Sequence, residues 1–183
     1  HFTNDGEIMR SKLIILIAII IIGIGAGYMF GVKGTGFGKK GNIRWLGYNE
    51  GMEKAKRENK QILLNFVTHW CDWCKKMDEE TFGNKEVRGL IEKGFVPIRV
   101  DAELSGEAHY KGRKMGYKEL AVHYSVKEVP TTWFLEGDGT LIAMMPGKIE
   151  PDYFLKTLAY VKNGVYKTDV KLADYAGVKK PQD

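Results

Sequence analysis

Cysteine is nearly absent from this sequence, whose 183 residues include only Cys71 and Cys74. A small secreted domain held together by disulfides needs several spaced pairs, so that class of protein is excluded. A c-type haem site requires histidine directly after the second cysteine, and position 75 is lysine. Two cysteines three positions apart, with no others in the chain, indicate chemistry at the pair itself.

The sequence also lacks a dense run of basic residues. Its 28 lysines and arginines exceed its 23 acidic residues by only five and are mixed with them along the chain. This pattern is typical of a solvated surface, so we predict no nucleic-acid partner. Hydrophobic residues make up 44% and charged residues 28%, as in globular proteins. The length suits one domain of about 100–150 residues beside an anchor and a tail.

One long apolar run is present near the amino terminus, where residues 13–32 carry no charge. Twenty helical residues rise about 30 Å, which matches the hydrocarbon core of a bilayer. The run predicts an uncleaved transmembrane anchor, with a cleaved secretory signal as the alternative, because Arg10 and Lys12 precede it as either would require. We therefore expect the body of the protein on the periplasmic or extracytoplasmic side, or secreted if the segment is removed.

Composition sets the other predicted boundaries. The short segment 1–12 is an amino-terminal flank, and the glycine-rich segment 33–41 is a flexible linker. We predict a folded domain over 42–163 and a polar tail over 164–183.

Apolar periodicity predicts the elements of the folded domain. The predicted helices cover 47–59, 72–82, 85–93, 117–124 and 151–161, and the predicted strands cover 62–67, 95–100, 131–135 and 140–145. The polar, glycine-bearing segment 102–116 is interpreted as a loop or a loose helix. Helices between strands, with a closing hairpin turn at 136–139, predict an α/β fold with a mixed central sheet flanked by helices.

The cysteine pair follows a predicted strand and opens a predicted helix. Unpaired backbone N–H groups and the helix dipole at that end stabilise a thiolate, the attacking species in disulfide exchange. Cys71 lies at the helix terminus and is the predicted nucleophile. Cys74, one turn inside on the same face, is the predicted resolving thiol. A zinc site that also uses His69 and a purely structural disulfide are the alternatives at this point.

Around this pair the sequence resembles the thioredoxin superfamily over residues 45–161. It is especially similar to the exported, membrane-anchored branch that includes the carboxy-terminal domain of DsbD and SoxW-like thioredoxins. The matching positions are 70–77 (WCDWCKKM), Thr81, Phe82, Val87, Val100, Asp101, Val129, Pro130, Thr131 and the hairpin 137–139. The resemblance implies a thioredoxin-like fold and a thiol-disulfide oxidoreductase that needs no cofactor or metal. Its implied partners are protein thiols and disulfides.

The resemblance also implies roles for residues around the cysteines. The peptide bond before Pro130 is expected to be cis and to pack against the disulfide, with the backbone of Val129 available to a bound peptide. Trp70 and Trp73 flank the cysteines in the sequence, and from this position we expect them to form an apolar platform for substrate chains, with core packing as the alternative.

Charge beside the cysteines bears on the direction of electron flow. Asp72 places a negative charge next to the Cys71 thiolate and destabilises it, while Lys75 and Lys76 oppose this effect. A less stabilised thiolate favours the disulfide form, so we predict a reductant rather than a strong oxidant.

One position departs from the family pattern. Thioredoxins carry a buried acid six residues before the first cysteine, and this sequence has Asn65 there. Asparagine cannot accept the proton of the second thiol, so another group must do so. Glu79, Glu80 and Asp101 are the candidates.

The function predicted from these features is reduction of protein disulfides outside the cytoplasm, with electrons supplied by a membrane donor. A thioredoxin-fold adaptor or chaperone without redox turnover is one alternative. A metal-delivery protein that uses both cysteines and His69 is another. We expect client specificity to lie in the segment 103–117.

Overall fold

The structure, a computed structural model, describes residues 43–177. The predicted flank 1–12, anchor 13–32 and linker 33–41 lie outside these residues, as does the end of the tail. Among residues 43–177, no helix combines the length and the apolar character needed to cross a membrane.

Helices and strands occur in the predicted order, with additions in the second half of the chain. They are α1 (Tyr48–Glu58), β1 (Gln61–Val67), α2 (Asp72–Glu80), α3 (Lys85–Gly94), β2 (Phe95–Asp101), β3 (Glu107–Tyr110), β4 (Arg113–Gly116), α4 (Tyr117–His123), β5 (Thr131–Leu135), β6 (Leu141–Pro146), α5 (Pro151–Lys162), a 3₁₀ turn (Val165–Lys167) and α6 (Leu172–Tyr175).

The main sheet has four strands in the order β2-β1-β5-β6. Strand β2 runs parallel to β1, whereas β5 is antiparallel to β1 and β6 is antiparallel to β5. Every residue of β1 after Gln61 is buried. A strand covered on both faces reads as a continuous apolar run, which is the pattern of residues 62–67 apart from Asn65.

Two hydrophobic clusters cover the two faces of this sheet. One contains Leu63 of β1 and Phe134 of β5, together with side chains of α2, α3 and α5. The other contains Leu64 and Phe66 of β1, with side chains of α1 and α4. Successive side chains of a strand point to opposite faces, so β1 contributes to both clusters. The predicted mixed sheet with flanking helices is confirmed.

The prediction of a loop or loose helix over 102–116 is wrong, because this segment contains the hairpin β3–β4. Lys111 and Gly112 both have positive φ, of 49° and 78°, which is the backbone of the tightest hairpin turns. Ala108 and Met115 pair across the hairpin and point inward. With one buried side chain per strand, the apolar alternation is too short to be recognised in the sequence.

The polar tail packs on the domain as far as it is described. The hydroxyl of Tyr160 donates to the carbonyl of Val170 at 2.8 Å, and Nζ of Lys156 donates to the carbonyl of Ala176 at 2.7 Å. Ala176 is itself buried. Residues 164–177 are therefore held against α5.

Candidate active site

The two cysteines lie where the central strand passes into α2. Cys71 is the N-cap of α2, and the backbone N–H of Cys74 donates to Sγ of Cys71 at 3.1 Å. The two sulfurs are joined as a disulfide, and both residues are buried. This hydrogen bond reaches Sγ of Cys71, the sulfur that carries the negative charge once the disulfide is reduced. The helix terminus therefore stabilises a Cys71 thiolate.

A proline turn lies directly against this pair. The Val129–Pro130 peptide bond is cis, as the family resemblance implies. Sγ of Cys71 is 3.6 Å from the carbonyl oxygen of Val129. Val129 also packs against the hydrophobic cluster that Val67 forms with the two cysteines. The backbone of Val129 thus borders the sulfur that a substrate would approach.

Both tryptophans beside the cysteines are exposed, Trp70 by 58% and Trp73 by 59%. Core packing, the alternative for Trp70, is therefore excluded. The indole N–H of Trp70 donates to a carboxylate oxygen of Glu103 at 2.6 Å, and Nζ of Lys76 lies 4.8 Å from the centre of the Trp73 ring. These contacts hold two large, exposed aromatic surfaces beside Cys71.

A cavity of about 740 Å³, here called the tryptophan groove, opens between these side chains. Its walls include Trp70, Cys71, Trp73, Val122, Val126 and Val129. Val122 of α4 is 71% exposed. Val122 and Val126 were not predicted as site residues, because only the fold brings α4 and the following turn beside the cysteines. No signal in the sequence separates Val122 from its buried neighbours Leu120 and Ala121.

A second cavity of about 470 Å³, here called the Cys74 pocket, borders the disulfide as well. Its lining includes Trp45, Cys71, Cys74, Asp78, Arg99 and Asp101. The two cavities share Thr68 and Cys71, whereas Cys74 lines only this one. The two cavities therefore meet at Thr68 and Cys71, and the lining of each combines apolar and charged side chains.

An ion pair that the sequence analysis missed forms one wall of the Cys74 pocket. Arg99 of β2 makes two bonds to the carboxylate of Asp78, one of them at 3.0 Å, and its guanidinium lies 4.0 Å from the centre of the Trp45 ring. The Arg99 side chain is 11% exposed and that of Asp78 is 42% exposed. A bidentate pair of this kind fixes the relative position of α2 and β2.

The charges at the start of α2 partly cancel. Nζ of Lys75 lies 2.9 Å from Oδ1 of Asp72, and this hydrogen bond, with the positive charge of Lys75, holds the pKa of Asp72 below its ordinary value. Asp72 is thus ionised beside Cys71, and Lys75 offsets its repulsion of the thiolate. Because both side chains are exposed, the ion pair itself contributes little to stability.

The three predicted proton acceptors lie in different surroundings. Glu80 is bonded to Lys148, and that hydrogen bond lowers the pKa of Glu80. Glu79 is exposed and does not line the Cys74 pocket. Asp101 does line it and is 9% exposed. His69, whose side chain is 61% exposed, has Nδ1 3.5 Å from Oδ2 of Asp101.

Asn65 occupies the position of the missing acid and is fully buried. Its amide group donates to Oγ1 of Thr132 at 3.1 Å, whereas its carbonyl oxygen has no hydrogen-bond partner. An amide in this place holds β1 against β5 but takes no proton. Within residues 43–177, no group of three or more histidine, cysteine or acidic side chains is arranged to hold a metal ion.

Comparison with known proteins agrees with this architecture. The family model of the thioredoxin-like domain matches residues 48–162, which is more than half of the chain. A thioredoxin-fold protein from Helicobacter pylori superimposes with a TM-score of 0.60 at 27% identity, over 66% of this chain and 84% of that one.

Two curated relatives match parts of the chain. The disulfide bond reductase DsbH of Chlamydia pneumoniae is 28% identical over 105 residues, which are 57% of this chain and 63% of DsbH. Spermatogenesis-associated protein 20 of Rattus norvegicus is 44% identical over 54 residues, which are 30% of this chain but 7% of that protein. The chain thus spans less than two thirds of either relative. With the family model matched over residues 48–162, the chain belongs to the thioredoxin-like domain family.

Proposed function

We propose that this protein is a thiol-disulfide oxidoreductase that reduces disulfides in protein substrates. The observation that carries the proposal is the disulfide between the N-cap of α2 and Cys74, set beside the cis Val129–Pro130 bond. A disulfide between cysteines three positions apart closes a loop too small to add much stability, so we assign it a chemical use.

The reduced pair would act in two steps. The Cys71 thiolate attacks a substrate disulfide, forms a mixed disulfide and releases the first substrate thiolate. Cys74 then attacks Sγ of Cys71 and releases the second. The N–H of Cys74, which donates to Sγ of Cys71, stabilises the Cys71 thiolate before the first step.

The tryptophan groove suits an extended protein substrate. Exposed Trp70 and Trp73 offer apolar contact area, and the backbone of Val129 offers hydrogen bonds beside the attacked sulfur. Aromatic residues supply much of the binding energy in protein interfaces. We assign Trp70, Trp73, Val129 and Pro130 to substrate binding and site shape, and Asp72 to the charge beside Cys71.

Two observations support the direction and the place of the reaction. The negative charge of Asp72, which Lys75 cancels only in part, disfavours the thiolate. DsbH, which is similar to 57% of this chain, is named a disulfide bond reductase. The uncharged run 13–32 supports a membrane anchor with the domain on the extracytoplasmic side. A membrane-bound electron donor would then regenerate the dithiol.

The first experiment mixes the reduced full chain, in detergent, with an oxidised protein that contains one disulfide. We expect each chain to lose two thiols as the substrate gains two, measured by alkylation and mass spectrometry. A chain alkylated at both cysteines is the control and should transfer nothing.

A binding module is the second candidate, because the exposed tryptophan groove could hold a peptide without exchange. If the reduced chain binds the substrate protein but loses no thiols, the adaptor function replaces the one proposed. Loss of both thiols in step with the gain by the substrate excludes the adaptor as the whole function.

A further inference from the structure

The second step of the proposed reaction has a chemical requirement that Asn65 does not meet. Cys74 must lose its proton before it can attack, and it is 6% exposed. A buried thiol is neutral unless a base accepts its proton, because burial disfavours the charged form. The buried amide at position 65 offers none.

The Cys74 pocket brings a different carboxylate to the resolving cysteine. Asp101 ends β2 and pairs in register with Val67, the last residue of the strand that leads to the cysteines. Its Oδ1 accepts the backbone N–H of Glu103 at 3.0 Å, which fixes the side chain. Asp101 and Cys74 both line the pocket, whose volume of about 470 Å³ exceeds that of several water molecules, at about 30 Å³ each.

The charges around the pocket leave Asp101 available. Apart from the two cysteines, the other charged or titratable side chains in its lining are His69, Lys75, Asp78, Arg99 and Tyr117. Arg99 is paired with Asp78, and Lys75 with Asp72. Within residues 43–177, Asp101 makes no ion pair with lysine or arginine, and its charged-group contact is exposed His69.

We propose that Asp101 accepts the proton of Cys74 through water in the Cys74 pocket, and that His69 exchanges this proton with solvent. The proposal rests on the proposed function, because the proton must move only if Cys74 attacks a mixed disulfide. Asp101 acts through water and is a positioning and proton-relay residue rather than one that contacts the reacting sulfur.

In the resolving step, one disulfide bond forms as another breaks. The Cys74 thiol gives its proton through water to Asp101, and its sulfur attacks Sγ of Cys71. The Cys71–Cys74 bond forms while the bond between Cys71 and the substrate sulfur breaks, and the electron pair leaves with the substrate thiolate. The proton passes from Asp101 to His69 and solvent, and solvent protonates the substrate thiolate. Across both steps the dithiol gives two electrons and two protons to the substrate disulfide.

The test is Asp101→Asn in the full chain, because asparagine keeps the acceptor for the Glu103 N–H and removes the base. Mixed-disulfide formation and its resolution are timed separately by acid quench and mass spectrometry as a function of pH. We expect the first step to keep its wild-type rate. The second step should slow about tenfold at neutral pH and recover at alkaline pH, where hydroxide replaces the base.

Two variants separate a proton role from a structural one. Asp101→Glu retains a carboxylate and should keep the pH profile of the wild type. Glu79→Gln removes a carboxylate from α2 outside the pocket and should leave both steps unchanged. A wild-type pH profile for resolution in Asp101→Asn, with the first step intact, would overturn the proposal. If the wild-type chain forms no mixed disulfide at all, the proposed function fails instead.

Discussion

Replacement of Cys71 by serine is expected to reduce disulfide exchange to the rate of the reaction without protein. The serine hydroxyl stays protonated at the α2 terminus and is a poor nucleophile, whereas the thiolate there accepts the Cys74 N–H. Removal of an enzyme nucleophile costs roughly a thousandfold or more in rate. The rate of thiol appearance in an oxidised substrate protein measures this loss.

Cys74→Ser is the matched variant and should behave differently. It keeps the Cys71 nucleophile but cannot resolve the mixed disulfide, so a covalent complex with the substrate should accumulate. That complex is visible on a non-reducing gel and should disappear on addition of dithiothreitol. If Cys71→Ser instead forms the complex and Cys74→Ser does not, the two cysteines have exchanged roles.

The largest loss of stability is expected from Phe154→Ala in α5. The Phe154 side chain is fully buried, and its ring centre lies 5.6 Å from that of Phe82 and 6.0 Å from that of Phe134. Removal of the ring deletes contacts with the sheet and with the turn after α2 and leaves a cavity. We expect the free energy of unfolding to fall by about 3–5 kcal/mol, measured by urea denaturation.

Phe154→Leu is the control for this site. It keeps most of the buried volume, so its cost should stay below that of alanine by at least about 1 kcal/mol. Equal losses for leucine and alanine would show that the aromatic contacts, rather than the filled volume, stabilise this part of the core. A loss below about 1 kcal/mol for alanine would contradict the packing described here.

The sequence was sufficient for the elements that have a long apolar pattern. β1 reads as a buried strand over 62–67, and α5 has Pro151 at its start and apolar residues at helical spacing. The hairpin β3–β4 was not predicted, because Ala108 and Met115 are its only buried side chains. Its position is fixed by Asn49, whose side chain bonds the backbone of Glu107 and His109, a contact between distant segments.

For the site too, features that are local in sequence could be predicted, whereas contacts between distant segments could not. The cysteine motif is local in sequence, so its position at the start of α2 followed from the strand and helix around it. The Arg99–Asp78 pair and exposed Val122 depend on how β2, α2 and α4 are brought together. Arg99 in particular would pass for a solvated strand residue, because nothing near it in sequence shows that it stacks on Trp45.

Asp101 was identified by combining the sequence with the structure. The sequence offered it as one of three acids that could replace the one missing at position 65. In the structure Glu80 forms an ion pair with Lys148, and Glu79 lies outside the Cys74 pocket. Asp101 lines that pocket. The position of each acid in the fold, rather than its spacing in sequence, separates the three.

The reduction potential of the Cys71–Cys74 pair tests the central claim most directly. The full chain is equilibrated with a graded series of reduced and oxidised dithiothreitol, and its thiols are counted by alkylation and mass spectrometry. We expect a single two-electron couple at or below about −200 mV, where reducing thioredoxin-type pairs lie. A value near about −120 mV would mark an oxidant, and the absence of a two-electron couple would contradict the redox function itself.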